Sequence, residues 1–113
     1  MKVQEMVTRL GLQAFSPGEM EREVTGGYAS DLLSCVMARA KAGHVWVTLQ
    51  SHPNVVAVAS LLNLAAVIIT EGVVPDEETV QRAQEHGISL LGSPQTTFTV
   101  AGRLSALGVS GAD

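Results

Sequence analysis

The chain is poor in cysteine, aromatic rings, basic charge and long apolar runs. Its 113 residues include one cysteine, Cys35, which has no partner for an internal disulfide. That thiol usage suits a reducing compartment. Phe15, Tyr28, Trp46 and Phe98 are its only aromatic residues, too few for a base-stacking surface. Seven Lys and Arg stand against 11 Asp and Glu, a formal net charge of −4. The densest basic stretch is Arg39-Ala40-Lys41. A nucleic-acid binder displaces counterions with a positive patch, so nucleic acid is excluded as a partner. The most apolar stretch, 55–70, is interrupted by Ser60 and Asn63. It is also shorter than the ~20 residues of a membrane span. Met1-Lys2-Val3-Gln4-Glu5-Met6 puts charge where a secretory leader needs an apolar run. These absences predict a soluble cytoplasmic protein with no membrane association.

What is present is a globular composition, 46% hydrophobic and 16% charged, sized for a single domain over 1–113. Val3, Met6, Val7 and Leu10 recur at helical spacing and predict a helix over 2–10 that stops at Gly11. Ser16-Pro17-Gly18 reads as a turn. Glu21 to Thr25 reads as a short edge strand broken by Gly26-Gly27. A long helix is predicted over 30–42, with Ser30 at its cap and Asp31 at its positive start. Arg39 and Lys41 lie at its negative end, and Leu32, Leu33, Cys35, Val36 and Met37 form its apolar face. His44 to Leu49 is strand-like. Pro53 suits the first turn of a helix over 54–63. Ala65 to Thr70 is a continuous apolar strand of the central parallel type. Pro75-Asp76-Glu77-Glu78 opens a helix that ends at Gly87. A strand over 88–91 and a last helix over 97–107 follow, and the tail 109–113 is expected to fray.

Strands alternating with helices predict an α/β fold: one layered domain with a mostly parallel sheet flanked by helices. Its core spans about 22–107, with 1–20 as an N-terminal helix and turn. The helix over 54–63 is apolar almost all round, which implies burial on more than one side. Val55, Val56, Val58, Ala59 and Leu62 are therefore the expected interface of a homodimer.

Three stretches carry a family likeness: Thr25-Gly-Gly-Tyr-Ala-Ser-Asp-Leu-Leu-Ser-Cys-Val-Met37, Val45-Trp-Val-Thr-Leu-Gln-Ser-His-Pro-Asn-Val-Val-Ala-Val-Ala59 and Ile68-Ile-Thr-Glu-Gly-Val-Val-Pro-Asp-Glu-Glu78. The chain resembles the stand-alone DRTGG-domain proteins, which are similar to the N-terminal domain of HPr kinase. The resemblance implies that N-terminal-domain fold and a regulatory or dimerising role. It also implies accessory service to a redox enzyme of the hydrogenase type. In relatives, such domains accompany CBS domains in regulated pyrophosphatases. The motif's Asp-Arg pair falls here at Ser51-His52. Its Thr is matched by Thr70, its first Gly by Glu71 and its second by Gly72. HPr kinase activity belongs to another domain with a phosphate loop, and G-x-x-x-x-G-K-[ST] does not occur here.

Ligands of open parallel sheets bind beyond the carboxyl ends of the strands. Three such junctions nominate Gly27, Tyr28, Ser51, His52, Asn54, Thr70 and Gly72 as ligand-binding residues. Free N–H groups at helix starts favour an anion. Against that, Asp31, Glu71, Asp76, Glu77 and Glu78 crowd the same rim, and His52 is the only cation expected there. His44, His52 and His86 lack metal-ligand spacing, so no metal is expected. Nor are a cofactor or a catalytic set expected: Ser34, Ser51 and His52 form no triad by spacing, and Cys35 lies in an apolar face. The resulting expectation is a non-catalytic regulatory or scaffold module. The alternative is a sensor of a small adenine nucleotide-like ligand at the helix starts.

Overall fold

The computed structural model describes residues 1–113. In chain order the elements are α1 (Val3–Leu10), β1 (Gln13–Ser16), β2 (Gly26–Ala29), α2 (Leu33–Arg39) and β3 (His44–Thr48). They continue with α3 (Asn54–Leu61), β4 (Ala66–Ile69), α4 (Glu77–Glu85), β5 (Leu90–Gly92) and α5 (Thr97–Ala106). The strands form one sheet in the order β1-β5-β4-β3-β2. β2, β3, β4 and β5 run parallel in sequence order, and β1 pairs antiparallel with β5.

Side chains alternate across this sheet because successive residues of a strand face opposite ways. Val45, Val47, Ala66, Ile68 and Leu91 pack with Val3, Met6 and Leu10 of α1 and with Val100 and Leu104 of α5. Trp46, Val67, Ile69 and Leu90 pack on the other side with Val36 of α2, with α3 and with Ala83 of α4. Each fully buried aliphatic side chain in these layers contributes about 1.5–3 kcal/mol. β3 and β4 are buried along their whole length, as their unbroken apolar sequences require of central strands. Trp46 lies on the sheet face, fully buried, and its indole N–H donates to the Ser30 carbonyl at 2.8 Å.

Several expectations change in detail. Glu21 to Thr25 is not a strand. Glu23 makes only a lone bridge to Lys2, and the edge strand is the Gly26–Ala29 segment, where a break was expected. Gly-Gly serves as strand because its flanks are crowded: a Cβ on Gly26 would lie 2.8 Å from the His44 ring. A short strand also forms at 13–16. The helix expected over 30–42 shrinks to 33–39, with Val36 its only buried residue. Leu32 and Met37 are exposed, because α2 covers a sheet edge whose glycines offer little to pack against. Asp31 caps no helix. Its Oδ1 accepts from the Thr48 hydroxyl at 2.8 Å and from the Leu49 N–H at 2.9 Å. The tail does not fray at once, since the Ser110 carbonyl accepts from the Gly27 N–H at 2.9 Å.

The largest correction concerns α3. Val55, Val56, Val58 and Ala59 are buried within the single chain, against the sheet and α4, and Leu62 is partly buried there. The helix turns Asn54, Ala57, Ser60 and Leu61 outward. The residues expected to meet a twin are thus consumed by the chain's own core. Sequence could not separate the two cases because Ala57, Ser60 and Leu61 on the wet face are small or apolar too.

Candidate functional site

The carboxyl ends of β3 and β4 open onto a rim built almost wholly of polar contacts within the chain. Thr48 and Thr70 lie side by side there. The Thr70 N–H donates to the Thr48 carbonyl at 2.9 Å. The Thr70 hydroxyl is fully buried. It lies 2.6 Å from the Thr97 hydroxyl and 3.4 Å from the Thr48 carbonyl. It can donate to the carbonyl while accepting from Thr97, so both of its roles are filled. The Ser51 carbonyl accepts from the Thr79 hydroxyl at 2.9 Å. His52 Nδ1 accepts from the Asn54 N–H at 3.1 Å, which makes it a turn histidine at a helix start.

The helix starts on this rim already hold groups from the chain itself. At α4, Asp76 accepts from the Thr79 N–H at 2.9 Å and from the Thr79 hydroxyl at 2.8 Å. Those two hydrogen bonds, with His52 nearby, hold the Asp76 carboxyl below its ordinary pKa. At α5, Thr96 accepts from the Thr99 N–H at 3.2 Å and the Glu71 carboxylate accepts from the Thr97 N–H at 2.8 Å. Ser30 accepts from the Leu32 N–H ahead of α2 at 3.1 Å. An incoming phosphate would have to displace an internal carboxylate at α4 or α5. This geometry runs against the expectation of an anion at those helix starts.

The seven nominated residues do not form one site. Ser51, His52, Asn54 and Thr70 belong to the rim just described. Gly72, with φ of 72°, borders a separate cleft near β1. Gly27 and Tyr28 lie at the far edge of the sheet. There they line a cleft of about 550 Å³ between β2 and α5.

The floor of that cleft follows from strand register. Gly27 pairs with Val45 and Ala29 with Val47, and Val45 and Val47 belong to the α1–α5 face of the sheet. Gly27 and Ala29 therefore present almost no side chain to that face. Val47, Ala101, Leu104 and Val109 supply apolar walls, Ser105 a hydroxyl, and Ser110-Gly111 backbone at the mouth. All eleven lining residues are uncharged. The glycines at 27 and 108 and the Val109–Gly111 tail are what sequence reasoning could have flagged. The tail escaped notice because nothing in Val109-Ser110-Gly111 shows that it docks on an edge strand. No group of three or more His, Cys, Asp or Glu side chains converges as a metal-binding cluster, and no helix is long and apolar enough to cross a membrane.

Comparison with known proteins places these features. No curated protein matches the chain. Among solved structures, one with similar architecture is described as the CBS and DRTGG domains of the regulatory region of Clostridium perfringens pyrophosphatase, complexed with its activator diadenosine tetraphosphate. The superposition has a TM-score of 0.76 at 16% sequence identity and covers 91% of this chain. The chain spans 45% of the length of that one, and the likeness establishes the fold. The family model of the DRTGG domain matches residues 24–107, most of the sheet and four of the five helices. The chain belongs to the DRTGG domain family.

Proposed function

We propose that this chain is a regulatory module that senses a small ligand in the cleft between β2 and α5. The observation that carries the reading is the lining of that cleft. It combines apolar walls from Val47, Leu104 and Val109 with backbone polar groups along Gly27, Ala29 and Ser110. A concave, mostly apolar site with a few convergent polar groups is the usual form of a small-molecule site. The lack of charge in the lining selects an uncharged, ring-sized group, such as the nucleoside part of a larger ligand. A phosphate finds no cation there and meets carboxylates at the α4 and α5 starts. The shared fold with a regulatory region solved with a dinucleotide activator supports a sensing role. A binding module of this kind works without catalysis, by biasing whatever the domain is attached to or docks on.

A thermal-shift screen tests this reading, with adenosine, other nucleosides, diadenosine tetraphosphate, ATP and inorganic phosphate as probes. A ligand at ten times its Kd adds about 1.4 kcal/mol, a rise of about 4–6 °C for a domain of this size. A nucleoside-containing probe should raise the melting point, and inorganic phosphate should not. Ala101→Trp, which fills the cleft from the partly exposed side of α5, should remove the shift. A shift that survives Ala101→Trp and appears with phosphate alone overturns the proposal.

A further inference from the structure

A second cleft, of about 370 Å³, lies on the opposite side of the molecule between β1 and the β4–α4 loop. Register explains why it is hollow. Gln13 of β1 stands opposite Gly92 of β5, and Gly92 has no side chain, so the ring of Phe15 packs over its backbone. Gly72-Val73-Val74 and Pro94 form the other wall.

Two large apolar side chains flank this cleft and are unusually wet. Val74 is 71% exposed and Phe98 is 89% exposed. Neither sits on a floppy segment. The Gly72 N–H donates to the Ser93 carbonyl at 3.0 Å and the Glu71 N–H to the Gln95 carbonyl at 2.8 Å. The Glu71 carboxylate pins the first turn of α5 through the Thr97 N–H, next to Phe98. Hydrogen bonds thus hold an apolar pair and an apolar hollow in place in water, which costs free energy unless something covers them.

Charge decides what covers them. Asp76, Glu77 and Glu78 follow Val74 directly and are exposed. The nearby cations are already engaged: Arg103 donates to the Gln95 side chain and to the Leu10 and Arg9 carbonyls, and Arg9 pairs with Glu5. A second copy of this acidic chain would bring carboxylates against carboxylates. We infer that this face docks a basic, amphipathic segment of a partner protein, seating one aliphatic or aromatic residue in the hollow while its Lys or Arg meet Glu77 and Glu78. The ligand cleft beside β2 is not needed for this inference.

The probe is a displayed random dodecapeptide library, selected on the full chain and counter-selected on Val74→Ser/Phe98→Ser. Both side chains are exposed, so the variant should keep its melting point, which is checked first. The expected clones carry a Leu, Ile or Phe flanked by Lys or Arg. Their binding should weaken about tenfold or more in the double variant, and should fall as ionic strength rises toward ~0.5 M. Glu77→Lys/Glu78→Lys should weaken it as well. Neutral or acidic consensus sequences overturn the inference. So does binding that the double variant retains, or a concentration-dependent self-association abolished by Phe98→Ser.

Discussion

Glu71 holds its backbone in the left-handed region, with φ of 63°, while its carboxylate accepts the Thr97 N–H of α5 at 2.8 Å. One residue thus carries a strained conformation and an electrostatic cap. In the family motif this position is glycine, which takes the same conformation without penalty. The two contributions can be separated by substitution. Glu71→Ala keeps the strain and loses the cap, and should lose about 1 kcal/mol in urea unfolding. Glu71→Gly loses the cap but relieves about 1 kcal/mol of strain, so it should stay close to wild type. The reverse order contradicts this account of the motif.

A buried histidine sets the acid response. His44 is buried at the start of β3, and its Nδ1 accepts the Lys41 N–H at 3.2 Å. Burial first, and the Lys41 charge second, push its pKa below the ordinary 6.5. The unfolded chain therefore takes up a proton before the folded one does. Stability should be complete above about pH 7 and should fall as pH drops through the mid-sixes. The loss should level off only below the depressed folded pKa. In His44→Asn the slope of melting temperature in that window should disappear, whatever its effect on the absolute value.

Close backbone contact fixes another position. Gly18 has φ of 55°. A Cβ there would collide with the backbone of Ile88 and Ser89, 2.6 Å from the Ile88 carbonyl carbon. Gly18→Ala combines left-handed strain with overpacking and should cost about 2–4 kcal/mol. Gly87→Ala, at φ of 65° with open space around it, should cost only the strain, about 1–2 kcal/mol.

The burial of α3 makes a further prediction. Val56 is 1% exposed in the single chain, so Val56→Ala should cost about 2 kcal/mol through the cavity it leaves. Its unfolding midpoint should depend on protein concentration no more than that of the wild type. A destabilisation that vanishes on dilution would identify Val56 as an interface residue instead.

How much of this was legible in the residues follows from where the information lies. The unbroken runs at 44–48 and 66–69 could only be central strands, and Asp76 with Thr79 announced a helix start. The layered parallel fold followed from that alternation. Gly26-Gly27 misled because glycine is read locally as a break, while here it admits His44 and the Ser110 carbonyl at a crowded edge. Asp31 misled because its partners, Thr48 and Leu49, come from another strand. The rim was nominated correctly as the carboxyl end of the sheet. What could not be read is that its hydroxyls and carboxylates satisfy one another, since pairs such as Thr70–Thr97 and Glu71–Thr97 are 27 and 26 residues apart. The cleft beside β2 depends on docking of the tail, which leaves no periodic pattern.

The central claim is that the ligand enters beside β2 and not at the helix starts. Backbone amide shifts recorded while adenosine, and separately inorganic phosphate, is added to the full chain test it most directly. Saturable changes with adenosine at Gly27, Ala29, Ser105 and Val109, with phosphate silent, are the predicted result. Changes centred on His52, Asn54, Thr70 and Thr97, or a response to phosphate alone, would contradict it.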